Sequence, residues 1–174
     1  MQLVPHRGVV LDLGCGFGVL AHLLAMESPE RQVMGIEQIA FRVAVAKQAA
    51  NSLHNLRFVH GDVHQVDFVL ADCIVMNDML HHIPHNLQIP LLKKCYSSLI
   101  PGGLLLIKDV TKSPVSKYIW NYVHDFVRNG NLPFYCLDSA ILVALLELVG
   151  FQVAVTSLDG GYPYPHVLYT CIKR

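Results

Sequence analysis

Charge of either sign is scarce in this sequence. Of its 174 residues, 13 are Lys or Arg and 13 are Asp or Glu, so the formal net charge is zero and only 15% of residues are charged. Binding to a nucleic-acid backbone requires a positive surplus, and we therefore expect no nucleic-acid partner. A hydrophobic fraction of 53% excludes disorder and predicts a single domain over residues 1–174 with a large core.

The sequence also lacks a membrane span and a disulfide framework. Its apolar run from Ala140 to Leu146 stops at Glu147, well short of the roughly 18 residues that a transmembrane helix needs. The 5 cysteines are an odd number and include no Cys-x-x-Cys pair, which favours buried, reduced thiols. We therefore expect no membrane association and a cytoplasmic location.

Strands and helices are predicted to alternate along the chain, because short apolar runs alternate with stretches of helical spacing. Strands are predicted at residues 9–13, 32–37, 56–60, 72–77, 104–109, 151–158 and 166–172. Helices are predicted from Val19 to just before Ser28, over 39–50, over 91–99 until Pro101-Gly102-Gly103 breaks the helix, over 115–129, and from an Asp138 cap to 149. Strands joined by helices in this way indicate a parallel α/β sheet, here closed by a C-terminal hairpin.

A glycine-rich turn after the first predicted strand is the sharpest local signal. The segment reads Asp12-Leu13-Gly14-Cys15-Gly16-Phe17-Gly18, and glycines allow backbone to approach a ligand closely beside a helix N-terminus with free N–H donors. Glu37 ends the second predicted strand, where it could accept hydrogen bonds from a ribose diol. A nicotinamide fingerprint would need its last glycine at position 19, where the chain has Val19. The pattern thus predicts a nucleoside site and disfavours a Rossmann oxidoreductase.

The glycine turn resembles motif I of the class I S-adenosylmethionine-dependent methyltransferases, and the resemblance continues along the chain. Glu37 matches the acid that binds the ribose hydroxyls, and Gly61-Asp62-Val63 matches the adenine-contacting segment. Residues 77–84 resemble the segment near the methionine moiety, and residues 99–105 resemble the turn into strand five. The resemblance implies a Rossmann-like seven-stranded sheet, mostly parallel with a C-terminal antiparallel hairpin strand and helices on both faces.

The resemblance also implies S-adenosylmethionine as cofactor and S-adenosylhomocysteine as product. The cofactor-binding residues that it implies are Asp12, Gly14, Cys15, Gly16, Gly18, Glu37, Gln38, Asp62, Val63, Asn77 and Asp78. Displacement at a sulfonium depends mainly on proximity and alignment. For an alcohol or phenol acceptor a base would help, and the candidates are His81, His82 and Asp109.

Two other interpretations of the histidines stay open at this point. His81 and His82 could be a structural pair that lines the methionine pocket. A metal site at His81, His82 and His85 is disfavoured, because Pro84 interrupts the helical spacing and no carboxylate completes the set. We therefore expect no metal.

The acceptor is expected to be a small molecule. No Asn/Asp-Pro-Pro-aromatic segment follows strand four and no Pro-Cys dipeptide occurs, which disfavours methyl transfer to DNA amino groups, protein glutamine or pyrimidine C5. Tyr118 and Trp120, in the segment 111–137, are predicted to contact substrate.

Only eight residues precede Val9, so we expect the N-terminal helices usual in the family to be absent. The pocket would then be open, or completed by residues 111–137, by a second copy of the chain or by a protein partner. Two functions are compatible with the sequence. The chain is either an active small-molecule methyltransferase or a non-catalytic S-adenosylmethionine-binding domain that serves as a regulator or subunit of a complex.

Overall fold

A computed structural model describes residues 3–111, 135–158 and 166–174. The predicted helix over 115–129, the predicted substrate contacts Tyr118 and Trp120, and the connection 159–165 lie outside the described residues. The strands are β1 (Gly8–Leu13), β2 (Arg31–Glu37), β3 (Leu56–His60), β4 (Ala71–Asn77), β5 (Leu99–Val110), β6 (Phe151–Ser157) and β7 (His166–Lys173). The helices are α1 (Val19–Glu27), α2 (Ala40–Ala49), α3 (His85–Ser98) and α4 (Ser139–Val149), with a 3₁₀ turn at Leu80–His82.

All seven strands form one sheet in the order β3-β2-β1-β4-β5-β7-β6. The pairs among β1 to β5 are parallel, whereas β7 is antiparallel to both β5 and β6. The predicted fold class is thereby confirmed. The predicted hairpin strands do pair, but β7 inserts between β5 and β6, so that β6 is the edge strand.

Strand β5 begins earlier than the sequence predicted. Leu99 pairs with Ala71 and Leu104 pairs with Cys73, so the intervening Pro101-Gly102-Gly103 lies within the span of β5. The prediction that this tripeptide separates the helix from a strand starting at residue 104 was therefore wrong in its boundary. The break in register between Ala71 and Cys73 accommodates the extra residues as an irregularity of the sheet.

Each face of the sheet buries its own apolar cluster under two helices. Helices α1 and α2 contribute Ala21, Leu24, Ala25, Val43 and Ala46 to one cluster. Helices α3 and α4 contribute Leu91, Leu92, Cys95, Leu142 and Leu146 to the other. Because strands buried on both faces need apolar residues at nearly every position, this arrangement accounts for the high hydrophobic fraction.

Local sequence signals set the ends of α4 as predicted. The Asp138 side chain accepts a hydrogen bond from the Ala140 N–H at 3.0 Å, and Gly150 ends the helix with a φ of 118°. All five cysteines are free thiols, and four of them are buried, as expected. None of the helices in the described ranges is long and apolar enough to cross a membrane.

Arg31, at the start of β2, is a fully buried charge that the sequence did not single out. Its guanidinium donates hydrogen bonds to the carbonyls of Val4, Pro5 and Leu24, and it pairs with Glu27 at 2.6 Å. The segment before β1 and the last turn of α1 are therefore held by one side chain.

Candidate cofactor and active site

A cleft with a volume of about 830 Å³ lies along the edge where the parallel strands end. Its walls come from the residues after β1, β2, β3 and β4, from the end of β5 and from the start of β7. Ligand pockets typically have volumes of roughly 300–1,000 Å³ and lie at this edge of α/β sheets. The sheet order therefore brings together segments that are up to about 150 residues apart in sequence.

The three glycines of the turn serve different purposes, although all adopt positive φ. A Cβ on Gly16 would meet no described atom within 4 Å, and Gly16 lines the cleft. A Cβ on Gly14 would lie 2.6 Å from the Met79 Cγ and Sδ atoms. Gly16 thus offers backbone to a ligand, whereas Gly14 makes room for a neighbouring side chain.

Gly18 packs against the core instead of lining the cleft. A Cβ there would lie 2.4 Å from the Phe58 ring, and one on Gly35 would lie 2.6 Å from the same ring. The Phe58 ring therefore packs between the glycine turn and β2, where only glycine leaves room for it. Gly35 was not predicted from the sequence, although a glycine inside a strand signals a close approach of neighbouring groups.

Glu37 ends β2 and joins the glycine turn to the next helix. Its Oε2 atom accepts the Gly16 N–H at 3.0 Å, and its Oε1 atom accepts the Ile39 N–H at 2.9 Å. The side chain is only 4% exposed yet lines the cleft. Each carboxylate oxygen has two lone pairs, so both oxygens retain acceptor capacity for hydroxyl groups.

Asp12 is a buried carboxylate at the floor of the cleft. Its Oδ2 atom has no hydrogen-bond partner among the described residues. Burial raises the pKa of Asp12 to about 7; a hydrogen bond from the Ala21 backbone opposes the rise, and the nearby Glu37 carboxylate adds to it. Burial beside the same two carboxylates also raises the pKa of the Cys15 thiol, so Cys15 stays protonated. An unsatisfied buried carboxylate of this kind favours a cationic ligand.

Asp62, Val63 and Gln38 line the cleft at its β2–β3 end. The Asp62 Oδ1 atom accepts the His64 N–H at 2.9 Å, and the Asp62 carbonyl accepts the N–H groups of Gln65 and Val66. A compact turn thus presents Asp62 and Val63 at the cleft wall.

Asp78 follows β4 in a left-handed backbone conformation with a φ of 52°, which is rare for a side chain with a Cβ. Burial would raise the pKa of Asp78, but hydrogen bonds and charges from His166 and Lys108 prevail and lower it to about 2. Lys108 lies 2.6 Å away and His166 lies 3.3 Å away. The neighbouring Asn77 amide lies 3.4 Å from Asp78. Lys108 and His166 were missed because strands distant in sequence bring them here.

His81 and Asp109, both predicted as candidate catalytic groups, are hydrogen-bonded to each other, but only His81 lines the cleft. His81 Nδ1 donates to Asp109 Oδ1, and the His81 backbone N–H donates to Asp109 Oδ2 at 3.1 Å. His81 and Asp109 are 5% and 4% exposed. His82 lines the cleft beside His81, with ring centroids 4.0 Å apart. Within the described segments no group of three His, Cys, Asp or Glu residues is placed to hold a metal ion.

The two ends of the cleft differ in the groups that line them. The carboxylates of Asp12, Glu37 and Asp62 lie at the β1–β3 end together with Arg42 and His64, whereas His81, His82 and His166 lie at the β4–β7 end together with the Asp78 carboxylate. The first end suits a ligand with positive charge and hydroxyl groups. The second end holds imidazole groups, which suit an acceptor with hydrogen-bonding groups or with a proton to be removed.

Comparison with known proteins agrees with this geometry. The chain matches the family model described as a methyltransferase domain over residues 10–103. It is 34% identical to trans-aconitate 2-methyltransferase from Deinococcus radiodurans, an alignment that covers 92% of the chain and 65% of that protein. The chain belongs to the class I S-adenosylmethionine-dependent methyltransferases. The predicted family and its cofactor are thereby confirmed.

Other members of the methyltransferase fold resemble the chain more distantly. Carboxy-S-adenosyl-L-methionine synthase from Psychrobacter arcticus is 28% identical over 70% of the chain and 50% of that protein. The structure of magnesium protoporphyrin IX methyltransferase from Synechocystis with bound S-adenosylhomocysteine superposes with a TM-score of 0.77 at 20% identity, covering 97% of the chain and 75% of that structure. The chain thus spans between one half and two thirds of the length of the trans-aconitate methyltransferase and of the carboxy-S-adenosyl-L-methionine synthase.

Proposed function

We propose that this chain forms the S-adenosylmethionine-binding domain of a methyltransferase that acts on a small-molecule acceptor. The observation that carries the proposal is the cleft itself, where the open face of Gly16, the Glu37 carboxylate and the unsatisfied Asp12 oxygen lie together. The relatives compared above bear the names of enzymes, which favours catalysis over the non-catalytic alternative.

The residues of the β1–β3 end fit the cofactor. Gly16 and the turn around it would face the amino-acid part, Glu37 would accept the ribose hydroxyls, and Asp62 and Val63 would face the adenine. Asp12 would balance the positive charge of the ligand, directly or through water. Gly18 would act through the turn, since it packs on Phe58. When bound, S-adenosylmethionine supplies a methyl group to an in-line nucleophile, and the carbon–sulfur bond breaks to leave S-adenosylhomocysteine.

His81 would act at the opposite end of the cleft. Its Nδ1 hydrogen is engaged by Asp109, which orients the ring and stabilises a positive charge on it. Held in this way, His81 would be the base that takes the proton from a hydroxyl acceptor. A carboxylate acceptor is already ionised at neutral pH and needs no base, so His81 would then only orient the acceptor.

A carboxylate is the acceptor class that we favour. The relative with 34% identity carries the name of an enzyme acting on trans-aconitate, a carboxylic acid. The β4–β7 end of the cleft also holds three histidines, and imidazole N–H groups are hydrogen-bond donors that suit a carboxylate acceptor.

Binding and turnover can be tested separately. Equilibrium titration should show binding of S-adenosylhomocysteine to the wild-type chain, and Gly16→Arg should abolish it by placing a side chain in the cleft. Exposed Arg57 lies on the strand β3 away from the cleft lining, so Arg57→Lys serves as the control. Retained binding in Gly16→Arg would contradict the proposed site.

The acceptor class can be tested with radiolabelled cofactor on panels of carboxylates, phenols and amines. A methyl ester product releases volatile methanol in alkali, whereas methyl ethers and methylamines do not. We expect base-labile label from the carboxylate panel, and His81→Asn should then retain activity without a new pH dependence. Label that is stable to alkali would reject the carboxylate assignment, and binding without turnover on any panel would favour the non-catalytic alternative.

A further inference from the structure

Lys94, on helix α3, is bound to the loop that follows β3. Its Nζ atom donates hydrogen bonds to three backbone carbonyls, those of Val63 at 2.9 Å, His64 at 3.1 Å and Val66 at 2.7 Å. The same atom lies 4.3 Å from the centroid of the Phe68 ring. An ammonium group has three N–H donors, and here each has a carbonyl to bind while the ring stabilises the charge.

The loop held by Lys94 is the one that presents Asp62 and Val63 to the cleft. From inside, it is shaped by the Asp62 side chain, which accepts the His64 N–H, and by the Gly61 N–H, which donates to the Glu37 carbonyl at 3.0 Å. Carbonyls that converge on one point repel each other unless a cation lies between them. The ammonium of Lys94 therefore stabilises a loop shape that the backbone would otherwise avoid.

Helix α3 is a firm support for this contact. It is fixed to the sheet by Leu91, Leu92 and Cys95, all fully buried. Nearer its start, the Gln88 Nε2 group donates to the carbonyls of Leu80 and Ile83 at 3.3 and 2.9 Å. One helix thus holds the loops at both ends of the cleft, with Lys94 assigned to the β3 end.

We propose that Lys94 is a positioning residue for the adenosyl end of the cofactor site: by gathering the carbonyls of Val63, His64 and Val66, it holds Asp62 and Val63 at the cleft wall. The proposal rests on the function proposed above. Lys94 acts through the loop and does not line the cleft. Loss of the Lys94 ammonium should weaken ligand binding, although no group that contacts the ligand is removed.

The test compares Lys94→Met with Lys93→Met in the whole chain. Methionine preserves much of the length and apolar stem of lysine but donates no hydrogen bond, and the neighbouring Lys93 is exposed. Titration with S-adenosylhomocysteine should give a dissociation constant about tenfold higher for Lys94→Met and unchanged for Lys93→Met. Methylthioadenosine has the adenosine but not the amino-acid part, and its affinity for Lys94→Met should fall by the same factor. Hydrogen exchange should show faster exchange in residues 62–66 of Lys94→Met alone.

Each outcome has a distinct meaning. Wild-type affinity in a folded Lys94→Met, even with a lower melting temperature, would reduce Lys94 to a structural contact and overturn the inference while the proposed function stands. If Lys94→Met binds S-adenosylhomocysteine more weakly but methylthioadenosine with unchanged affinity, the inference is also overturned. Failure of the wild-type chain to bind either ligand would reject the proposed function and the inference with it.

A second variant covers the case in which Lys94→Met does not fold. Lys94→Arg keeps a cation with several donors, and we expect it to bind both ligands within about threefold of wild type. If Lys94→Arg is folded but its dissociation constants are more than tenfold above those of wild type, the positive charge is not what positions the loop. The inference then fails.

Discussion

At the scale of single residues, glycines with the same backbone conformation serve different functions. Gly16 and Gly18 have φ values of 57° and 79°, and both stand in the same motif. Only their surroundings separate them: described atoms leave the space beside Gly16 open, whereas the Phe58 ring fills the space beside Gly18. A motif therefore reports backbone geometry, and neighbours decide which position serves the ligand.

Alanine substitution should separate the two roles. Gly18→Ala forces a methyl group into the Phe58 ring at positive φ, so we expect a loss of about 2–4 kcal/mol in the free energy of unfolding. Gly16→Ala carries only the backbone cost of positive φ, about 1–2 kcal/mol, but should weaken S-adenosylhomocysteine binding. Urea denaturation and equilibrium titration measure the two effects. Equal loss of stability in both variants would contradict the assignment.

At the scale of elements, a buried charge at the start of β2 connects that strand to α1 and to the segment before β1. Arg31 satisfies the Leu24 carbonyl near the end of α1 and the Val4 and Pro5 carbonyls before β1. Sequence periodicity found α1, β1 and β2 as elements, because spacing of apolar residues reports which face is buried. It could not find Arg31, since a charged residue at a strand end reads as exposed.

Replacing Arg31 should therefore destabilise the fold more than an ordinary surface change. We expect Arg31→Met to reduce the free energy of unfolding by about 3 kcal/mol, because several buried carbonyls lose their donor. Exposed Arg57, on β3, offers a matched control, and Arg57→Met should change stability by less than about 0.5 kcal/mol. Thermal and urea unfolding of the two variants provide the comparison.

The strand boundaries show where element prediction fails. The sequence placed the start of β5 at residue 104, but Leu99 already pairs with Ala71. Pro and Gly break regular structure locally, which made Pro101-Gly102-Gly103 a reasonable boundary. The partner strand nevertheless recruits Leu99, because an open backbone beside β4 is more stable when it is hydrogen-bonded.

At the scale of the whole molecule, folding buries the Asp12 carboxylate beneath the cleft and thereby couples stability to pH. Burial, with the Glu37 charge nearby, raises the pKa of Asp12 from 3.8 to about 7. The folded chain consequently binds more protons than the unfolded chain between these values. The stability that protonated Asp12 contributes is fully present below pH 3.8 and is lost as the pH rises through about 7.

Asp12→Asn should remove this dependence. Relative to the variant, the wild-type chain should lose on the order of 4 kcal/mol between pH 4 and pH 8, since each unit of pKa corresponds to about 1.4 kcal/mol. Urea denaturation across that pH range measures the difference between the two proteins. Parallel pH profiles would show that Asp12 titrates normally.

The sequence by itself determined the alternation of strands and helices, the glycine turn, and the acids at positions 12, 37 and 62, because these depend on local spacing and on backbone freedom. The tertiary structure alone decided that β7 enters between β5 and β6, that Asp109 orients His81, and that Lys108 and His166 flank Asp78. Such contacts join strands remote in sequence. Their partners are selected by sheet order and burial, and no local pattern records either.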